Sequence, residues 1–232
     1  MIKIIPSADR HQADHGWLQT HWHFSFSDYY DATNMNWSAL RVFNDDTVKA
    51  GGGFGFHPHK DMEIVSYIVD GELEHRDRLG NRHVNKPGEV QVMSAGRGIE
   101  HAESNPSPSD MRLIQLWIMP RRKGIEPRWE QKPFTREDRR NRLLQVVAPT
   151  DHPSDGALTI DQDASIYVSS LESSSEVTHT FSGTHGYLFV IAGAVTVNGT
   201  PLQNGDQARI ASEASLHIKA TADAEIILLD LP

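Results

Sequence analysis

Short β-rich runs that end at glycine, proline or Asx residues follow one another along the whole chain. Examples are MEIVSYIVDG, MRLIQLWIMP, HGYLFVIAG and AEIILLDLP. This density of turns and short strands is typical of an all-β barrel or sandwich and leaves little room for helices. The chain has 232 residues, which is enough for one large domain or for two small ones with separate cores.

A polar segment interrupts the strand pattern between Arg121 and Arg142, with the sequence RRKGIEPRWEQKPFTREDRRNR. Its charges and its weak β signal predict a connector that is partly helical near residues 135–141. We therefore expect two domains. The N-terminal domain covers residues 1–142 and includes the connector from about residue 121, and the C-terminal domain covers residues 143–232.

The two halves share one spacing pattern. In the first half the pattern consists of His57, His59, Glu63 and Gly71. The same spacing in the second half selects His179, Phe181, His185 and Gly193. This internal repeat predicts two similar barrels, of which only the first keeps a complete polar cluster.

Composition excludes several classes of function. The chain has 31 acidic and 22 basic residues, for a net charge of -9, and it has no cysteine. An acidic surface repels phosphate backbones, so a direct nucleic-acid partner is not expected. Disulfides and thiol chemistry are excluded. No run has the ~18 apolar residues of a membrane span, and the N-terminal residues MIKIIPSADRHQ lack a signal-peptide core. We expect a cytoplasmic protein without a membrane partner.

Two clusters in the first half combine histidine with carboxylate. His57 and His59 form one i, i+2 pair, and His101 and Glu103 form another. Alternate residues of a strand project from the same face, so each pair can point towards one site. Glu63 shares the parity of the first pair and is an alternative carboxylate. Such a set suits iron, nickel, copper, manganese or zinc.

The other histidines are interpreted as structural or exposed. His21 and His23 repeat the HxH spacing, but within an aromatic segment that has no accompanying carboxylate and glycine pattern. His75 and His83 lie near a predicted hairpin turn and are expected to be exposed. His185 is expected to be a hydrogen-bonded polar residue rather than a ligand.

The first cluster resembles the cupin pattern, with Gly51, His57, His59 and Glu63 in place and Gly71 one residue late. The second cluster fits loosely, because the spacing before His101 is two residues too long. The stretches HWHFSFSDYYD, FGFHPHKDMEIVSYIVDGELEHRD and SAGRGIEHAESN resemble the pirin family of bicupin proteins. The resemblance implies an all-β fold of two tandem cupin (jelly-roll) β-barrels.

The resemblance also implies a site. Pirins hold their metal with the two histidines of HPH and with the histidine and glutamate of an H-x-E segment, which here are His57, His59, His101 and Glu103. It favours Glu103 over Glu63, and Glu103 is also the expected catalytic base. The implied metal is Fe(II), with nickel, zinc, manganese, cobalt or copper as alternatives. The C-terminal barrel is expected to hold no metal.

Within the family, the chain resembles the bacterial pirin-type quercetin 2,3-dioxygenases, which implies an oxidoreductase. The implied reaction takes a flavonol and O₂, with metal-assisted loss of the 3-hydroxyl proton to Glu103, and yields carbon monoxide and a depside. By strand parity, the candidate wall residues of a substrate cavity are Val65, Tyr67, Met93, Trp117 and Met119, and the alternative for each is ordinary barrel core.

Two alternatives differ in class. One is a redox-sensitive, iron-binding regulator that binds a protein partner. The other is a metal-dependent enzyme that acts on another small molecule, since one fold supports many reactions. A monomer is expected, because a bicupin already contains two barrels.

Overall fold

The structure, a computed structural model, describes residues 1–232 and is almost entirely β. The only helical element is a 3-10 turn at Ser7–Asp9, so the structure contains no candidate for a membrane-spanning helix. The first strands are β1 (Ile2–Ile5), β2 (His11–Asp14), β3 (Leu18–Trp22), β4 (Leu40–Val48), β5 (Gly53–His59), β6 (Glu63–Asp70), β7 (Leu73–Asp77), β8 (Arg82–Asn85), β9 (Glu89–Ser94), β10 (Ile99–Ser104), β11 (Met111–Ile118) and β12 (Arg128–Pro133). The remaining strands are β13 (Leu144–Pro149), β14 (Leu158–Ile160), β15 (Ser165–Leu171), β16 (Glu176–Thr180), β17 (His185–Ala192), β18 (Ala194–Val197), β19 (Thr200–Gln203), β20 (Gln207–Ala211), β21 (Ser215–Ala220) and β22 (Ala224–Leu231).

Each barrel combines a seven-stranded sheet with a four-stranded sheet. In the first barrel the orders are β12-β9-β6-β11-β4-β3-β2 and β5-β10-β7-β8. In the second barrel they are β1-β20-β17-β22-β15-β13-β14 and β16-β21-β18-β19. The prediction of two tandem cupin β-barrels is therefore confirmed.

The four-stranded sheets show how the two barrels correspond. In the first, β5 pairs with β10 and places His57 opposite His101. In the second, β16 pairs with β21 and places His179 opposite Leu216. The repeat that was read from the sequence is thus a structural one, and a leucine occupies the position of His101 in the second barrel.

The largest apolar cluster lies between the barrels and includes Val65 and Tyr67 from β6 together with Phe189 from β17. A cluster of 14 residues fills the second barrel, whereas clusters of only six and four residues lie in the first. Because strand side chains alternate between faces, Ser66 and Ile68 point into the first barrel while Val65 and Tyr67 point out of it. The interior of the first barrel therefore has room for polar side chains.

The expected connector is only partly a connector. Residues Arg128–Pro133 form β12, which pairs along its whole length with β9 and extends the large sheet. The helix expected near residues 135–141 is absent, and the segment forms a turn in which Asp138 accepts hydrogen bonds from the backbone N–H and the hydroxyl of Thr135. Strand pairing with β9 supplies the stability that the polar sequence did not indicate.

The first strand of the chain belongs to the second barrel. β1 pairs antiparallel with β20, and Ile2 lies opposite Ile210. All other strands up to β12 lie in the sheets of the first barrel. A domain boundary near residue 142 stays a prediction.

Candidate metal centre

Strands β5 and β10 bring three histidines together inside the first barrel. One ring nitrogen each of His57, His59 and His101 lies within 4.8 Å of the others. The register between the strands shifts between His101 and Glu103. Glu103 joins His101 and His75 in a second group whose ligand atoms are equally close. Three of the four expected ligands, His57, His59 and His101, thus lie in one group. The fourth, Glu103, lies in the second group, which shares His101 with the first.

Hydrogen bonds orient the rings of three histidines. Nδ1 of His57 lies 2.8 Å from the carbonyl oxygen of Gly55 and donates to it, so Nε2 is the nitrogen that remains for a metal. Nε2 of His75 lies 3.1 Å from Oδ2 of Asp77 and donates to it. In the neutral form of His75, Nδ1 then accepts from Nδ1 of His101, 3.4 Å away. Nε2 of His101 is buried without a partner, and its lone pair is free for a metal.

The charge state of the cluster also suits a metal. Burial lowers the pKa of His59 to about 3, and repulsion from His101 and His57 adds to this effect. Burial likewise lowers the pKa of His101 to about 3, with contributions from His57 and His75. Both rings are neutral near pH 7, as metal ligands must be.

Two glutamines hold Glu103. Nε2 of Gln91 donates to its Oε1 at 2.5 Å, and Nε2 of Gln115 donates to its Oε2 at 2.9 Å. The amide oxygens of these glutamines accept from the indole N–H groups of Trp129 and Trp117, respectively. Glu103 is buried at 3% exposure, so its carboxylate is oriented from two sides and each oxygen keeps acceptor capacity for a further partner.

A cavity of about 360 Å³ opens beside His57, His59 and Glu103. Its apolar wall consists of Trp17, Leu18, Trp22, Phe26, Phe54 and Trp117. A concave, mostly apolar site with a few convergent polar groups is typical of small-molecule binding.

Only one of the expected wall residues lines this cavity. Trp117 does so and packs edge-on against His59, with ring centroids 4.8 Å apart. Val65, Tyr67 and Met93 pack instead in apolar clusters, which was the alternative for each of them, and Met119 is 38% exposed. For Val65 and Tyr67 the parity count failed because it ran across a turn.

That turn also decides the position of Glu63. Asp61 has φ +50°, in the left-handed region, so the alternation of β5 does not continue into β6. Glu63 is fully buried, and its Oε2 accepts from the hydroxyl of Ser94 at 2.6 Å. Burial raises its pKa, which nearby Arg128 partly offsets. Glu63 lies on the face directed at the second barrel and not with the histidines.

The sequence reasoning also misplaced His75. It was expected to be exposed but is fully buried, and it stacks on Trp129 with ring centroids 4.9 Å apart. The alternation of Leu73, His75 and Asp77 along β7, all buried, was the available signal. His23 meets its expectation as a structural residue, since it is buried and stacks on Phe43.

Asp46 is a cavity residue that the sequence did not single out. It lies on β4 with Asn44, is 3% exposed, and has an Oδ1 without a hydrogen-bond partner. Burial raises its pKa to about 7, and the carboxylates of Asp45 and Glu103 contribute to the rise. A carboxyl group with this pKa can donate a hydrogen bond into the cavity at neutral pH.

Comparisons with known proteins agree with this geometry. A family model described as Pirin matches residues 6–118, and one described as Quercetinase C-terminal cupin domain matches residues 145–231. A "Pirin-like protein" from Caulobacter vibrioides is 45% identical, over 94% of this chain and 94% of its own length. The chain belongs to the pirin family. Among other pirins, YhhW from Escherichia coli is 42% identical, with a TM-score of 0.94 over 100% of this chain and 98% of that one.

Two further relatives bear on the chemistry of this pirin. A protein of Escherichia coli strain K12 named quercetin 2,3-dioxygenase is 42% identical over 100% of this chain and 99% of its own length. A structure of YhhW in complex with nickel(II) is 41% identical, with a TM-score of 0.93 and coverage of 100% and 99%. Together with the histidine cluster, the family indicates a metal-dependent cupin function.

Proposed function

We propose that this pirin is a metal-dependent dioxygenase that cleaves flavonols such as quercetin with O₂. The observation that carries the proposal is the cluster of His57, His59 and His101, of which the first two line an aromatic cavity of about 360 Å³. The overall reaction converts flavonol and O₂ into a depside and carbon monoxide. The names of the bacterial relatives support this assignment.

His57, His59, His101 and Glu103 would hold one divalent ion, with Fe(II) as the proposed native metal. Three imidazoles and a carboxylate suit several first-row metals, and selectivity among them depends on geometry and supply. A bound ion would supply Lewis acidity that lowers the pKa of a coordinated hydroxyl. The native metal, a monomeric state and a cytoplasmic location remain predictions.

The protein itself binds and orients the substrate. Trp22, Phe26 and Trp117 offer aromatic faces and edges to a flat polyphenol and exclude water from its rings. Glu103 would accept the proton of the flavonol hydroxyl, as a general base within the same cavity. Gln91 and Gln115 hold its carboxylate in place before substrate binds, which reduces the reorganisation that proton transfer requires.

The proposal is tested with Glu103→Gln and His59→Ala, each loaded with Fe(II) and mixed with quercetin with and without air. We expect loss of flavonol absorbance and release of carbon monoxide from the parent only in air, and a large loss of both in the two variants. His217→Ala is the matched control, because that histidine pairs with Glu176 on the surface of the second barrel. Parent-like turnover in both site variants would show that the residues are wrongly assigned.

The same experiment separates the alternatives. A parent protein that binds the metal but releases no carbon monoxide with any of several flavonols would contradict the dioxygenase proposal. A partner affinity that changes between ferrous and ferric protein would then favour the regulator, and turnover of another phenol would favour a different enzyme.

A further inference from the structure

A second cavity, of about 270 Å³, lies where the two barrels meet. The residues that line it include His23 and Asn34 from the first barrel and Gln207 and Arg209 from β20. Trp22 is the one residue that also lines the metal cavity, so its side chain borders both spaces. The proposed dioxygenase reaction makes no use of this cleft.

Arg209 is a buried cation without a counter-ion. It is 7% exposed, and no carboxylate oxygen lies within the 4.0 Å of an ion pair. Both of its hydrogen bonds are made by Nη2, to the carbonyl oxygen of His23 at 3.0 Å and to Oδ1 of Asn34 at 2.8 Å. Nε is enclosed without a partner, and Nη1 makes no hydrogen bond within the protein. Its guanidinium also lies over the ring of Phe24, 4.5 Å from the centroid.

The carboxylate of Asp45 is already paired with two other arginines. Asp45 accepts from Arg10 at 3.1 Å and from Nε of Arg112 at 2.8 Å, so one carboxylate serves two guanidinium groups. Arg10 also lines the cleft. The rim adds Lys3 and His11 on the basic side and Asp9 and Asp31 on the acidic side. Oδ1 of Asp31 is bound to Thr33, and neither rim carboxylate reaches Arg209.

Burial of a cation is unfavourable unless an anion compensates it. Arginine is well suited to such compensation, because its planar guanidinium binds carboxylate and phosphate oxygens through paired donors. We propose that the cleft between the barrels binds a small oxoanion, a carboxylate or a phosphate, with Arg209 as its principal counter-ion. The size of the cavity limits the ligand to a small molecule, and the free Nη1 of Arg209 is the donor that it would engage.

The test measures binding of inorganic phosphate and of succinate to the full chain by calorimetry, at constant ionic strength with chloride as reference. Parent protein is expected to bind at least one of them saturably at one site. Arg209→Gln should weaken this binding at least about tenfold, as the loss of a charge-assisted hydrogen bond predicts. Arg78→Gln is the matched control, since Arg78 is exposed at 65% and lies over Phe56, far from the cleft in the sequence and the fold.

Metal-loaded and metal-depleted protein are compared, because phosphate also binds metals. Equal anion binding by both forms assigns the site to the cleft and keeps the result independent of flavonol cleavage. If Arg209→Gln does not fold, the exposed Lys3→Gln at the rim replaces it and should weaken binding severalfold. Preference for one probe identifies the anion class. The absence of saturable binding of either probe, or equal binding by Arg209→Gln, would overturn the proposal.

Discussion

Nε2 of Gln115 lies 2.9 Å from Oε2 of Glu103, and Oε1 of the same glutamine accepts from the indole N–H of Trp117 at 3.1 Å. An indole nitrogen can only donate. The amide oxygen of Gln115 must therefore face Trp117, and its NH₂ group must face Glu103. A wall residue of the cavity thereby determines the orientation of the proposed base.

Gln115→Leu should lower kcat for flavonol by about tenfold or more, because a hydrogen bond to a charged group typically contributes about 1.5–3 kcal/mol. Turnover is expressed per bound metal ion, because Gln115 lies behind a proposed ligand and its loss should also weaken metal binding. Gln145→Leu, which removes a hydrogen bond to Ser165 in the second barrel, should leave kcat as it is. A parent-like kcat per bound metal ion in Gln115→Leu would contradict this role.

Replacement by glutamine should affect metal binding differently at Glu63 and at Glu103. Glu63→Gln should bind metal like the parent, because its carboxyl contacts Ser94 on the other face of the sheet. Burial raises the pKa of Glu63, so its ionisation opposes folding at higher pH, and the neutral glutamine should keep or increase the free energy of unfolding at pH 8. Glu103→Gln should weaken metal binding. Calorimetric metal titration and urea unfolding check both, and metal loss in Glu63→Gln would return that residue to the ligand set.

Asp77→Asn should weaken metal binding about 10- to 100-fold, the usual effect of losing a hydrogen-bond partner behind a ligand. An asparagine can donate to Nε2 of His75 and so reverse the tautomer chain that leaves Nε2 of His101 unprotonated. Metal titration and ¹⁵N NMR of the histidine rings measure the change. Glu89→Gln is the control, because that carboxylate pairs with the more exposed His83. A parent-like affinity for metal together with unchanged ¹⁵N chemical shifts of the histidine rings would contradict the proposed hydrogen-bond chain from Asp77 through His75 to His101.

Asp46→Asn should stabilise the metal-free protein at pH 8 but not at pH 3. The folded-state pKa of Asp46 is about 7, above the ordinary value, so stability is lost as pH rises from about 4 to 7 while only the unfolded chain ionises. The difference of about three between the pKa values of the folded and unfolded states corresponds to a loss of roughly 4 kcal/mol in the free energy of unfolding at most. Urea unfolding at several pH values measures the difference. The exposed Asp155→Asn should give no such trend, and a parent-like pH dependence in Asp46→Asn would refute the assignment.

Phe26→Ala should raise KM for quercetin about three- to tenfold with a smaller effect on kcat, because an aromatic contact contributes about 0.5–1.5 kcal/mol beyond its buried area. Phe26 lines the cavity and packs edge-on against Trp117. Met119→Ala serves as the control, since Met119 is exposed outside the cavity. Steady-state kinetics measure KM and kcat for both variants. Equal KM values would show that Phe26 does not contact the substrate.

The sequence predicted the fold, the pairing of His57 with His59 and the pairing of His101 with Glu103 because those signals are local, whereas the resemblance to pirins joined the two pairs into one proposed ligand set. Turn density identifies strands, and i, i+2 pairs identify a shared face. It could not predict Gln91, Gln115 or His75 as partners of the set, because each comes from a different strand and contact depends on register.

The errors have equally specific causes. Parity with the histidines did not extend to Val65 and Tyr67, because Asp61 at positive φ ends the alternation of β5. Strand β12 was missed because its stability comes from pairing with β9 rather than from its own composition. Propensity alone does not report such tertiary effects.

The pairing of β1 with β20 has a consequence for how the protein is made. Residues near Ile2 leave the ribosome long before Ile210 is synthesised. Strand β1 therefore stays unpaired until β20 has been made and can bind to it. Non-local strand pairing of this kind is slow and leaves unpaired edges open to other chains. The second barrel therefore lacks one edge strand of its large sheet until β20 is made, and β1 stays unpaired for most of synthesis.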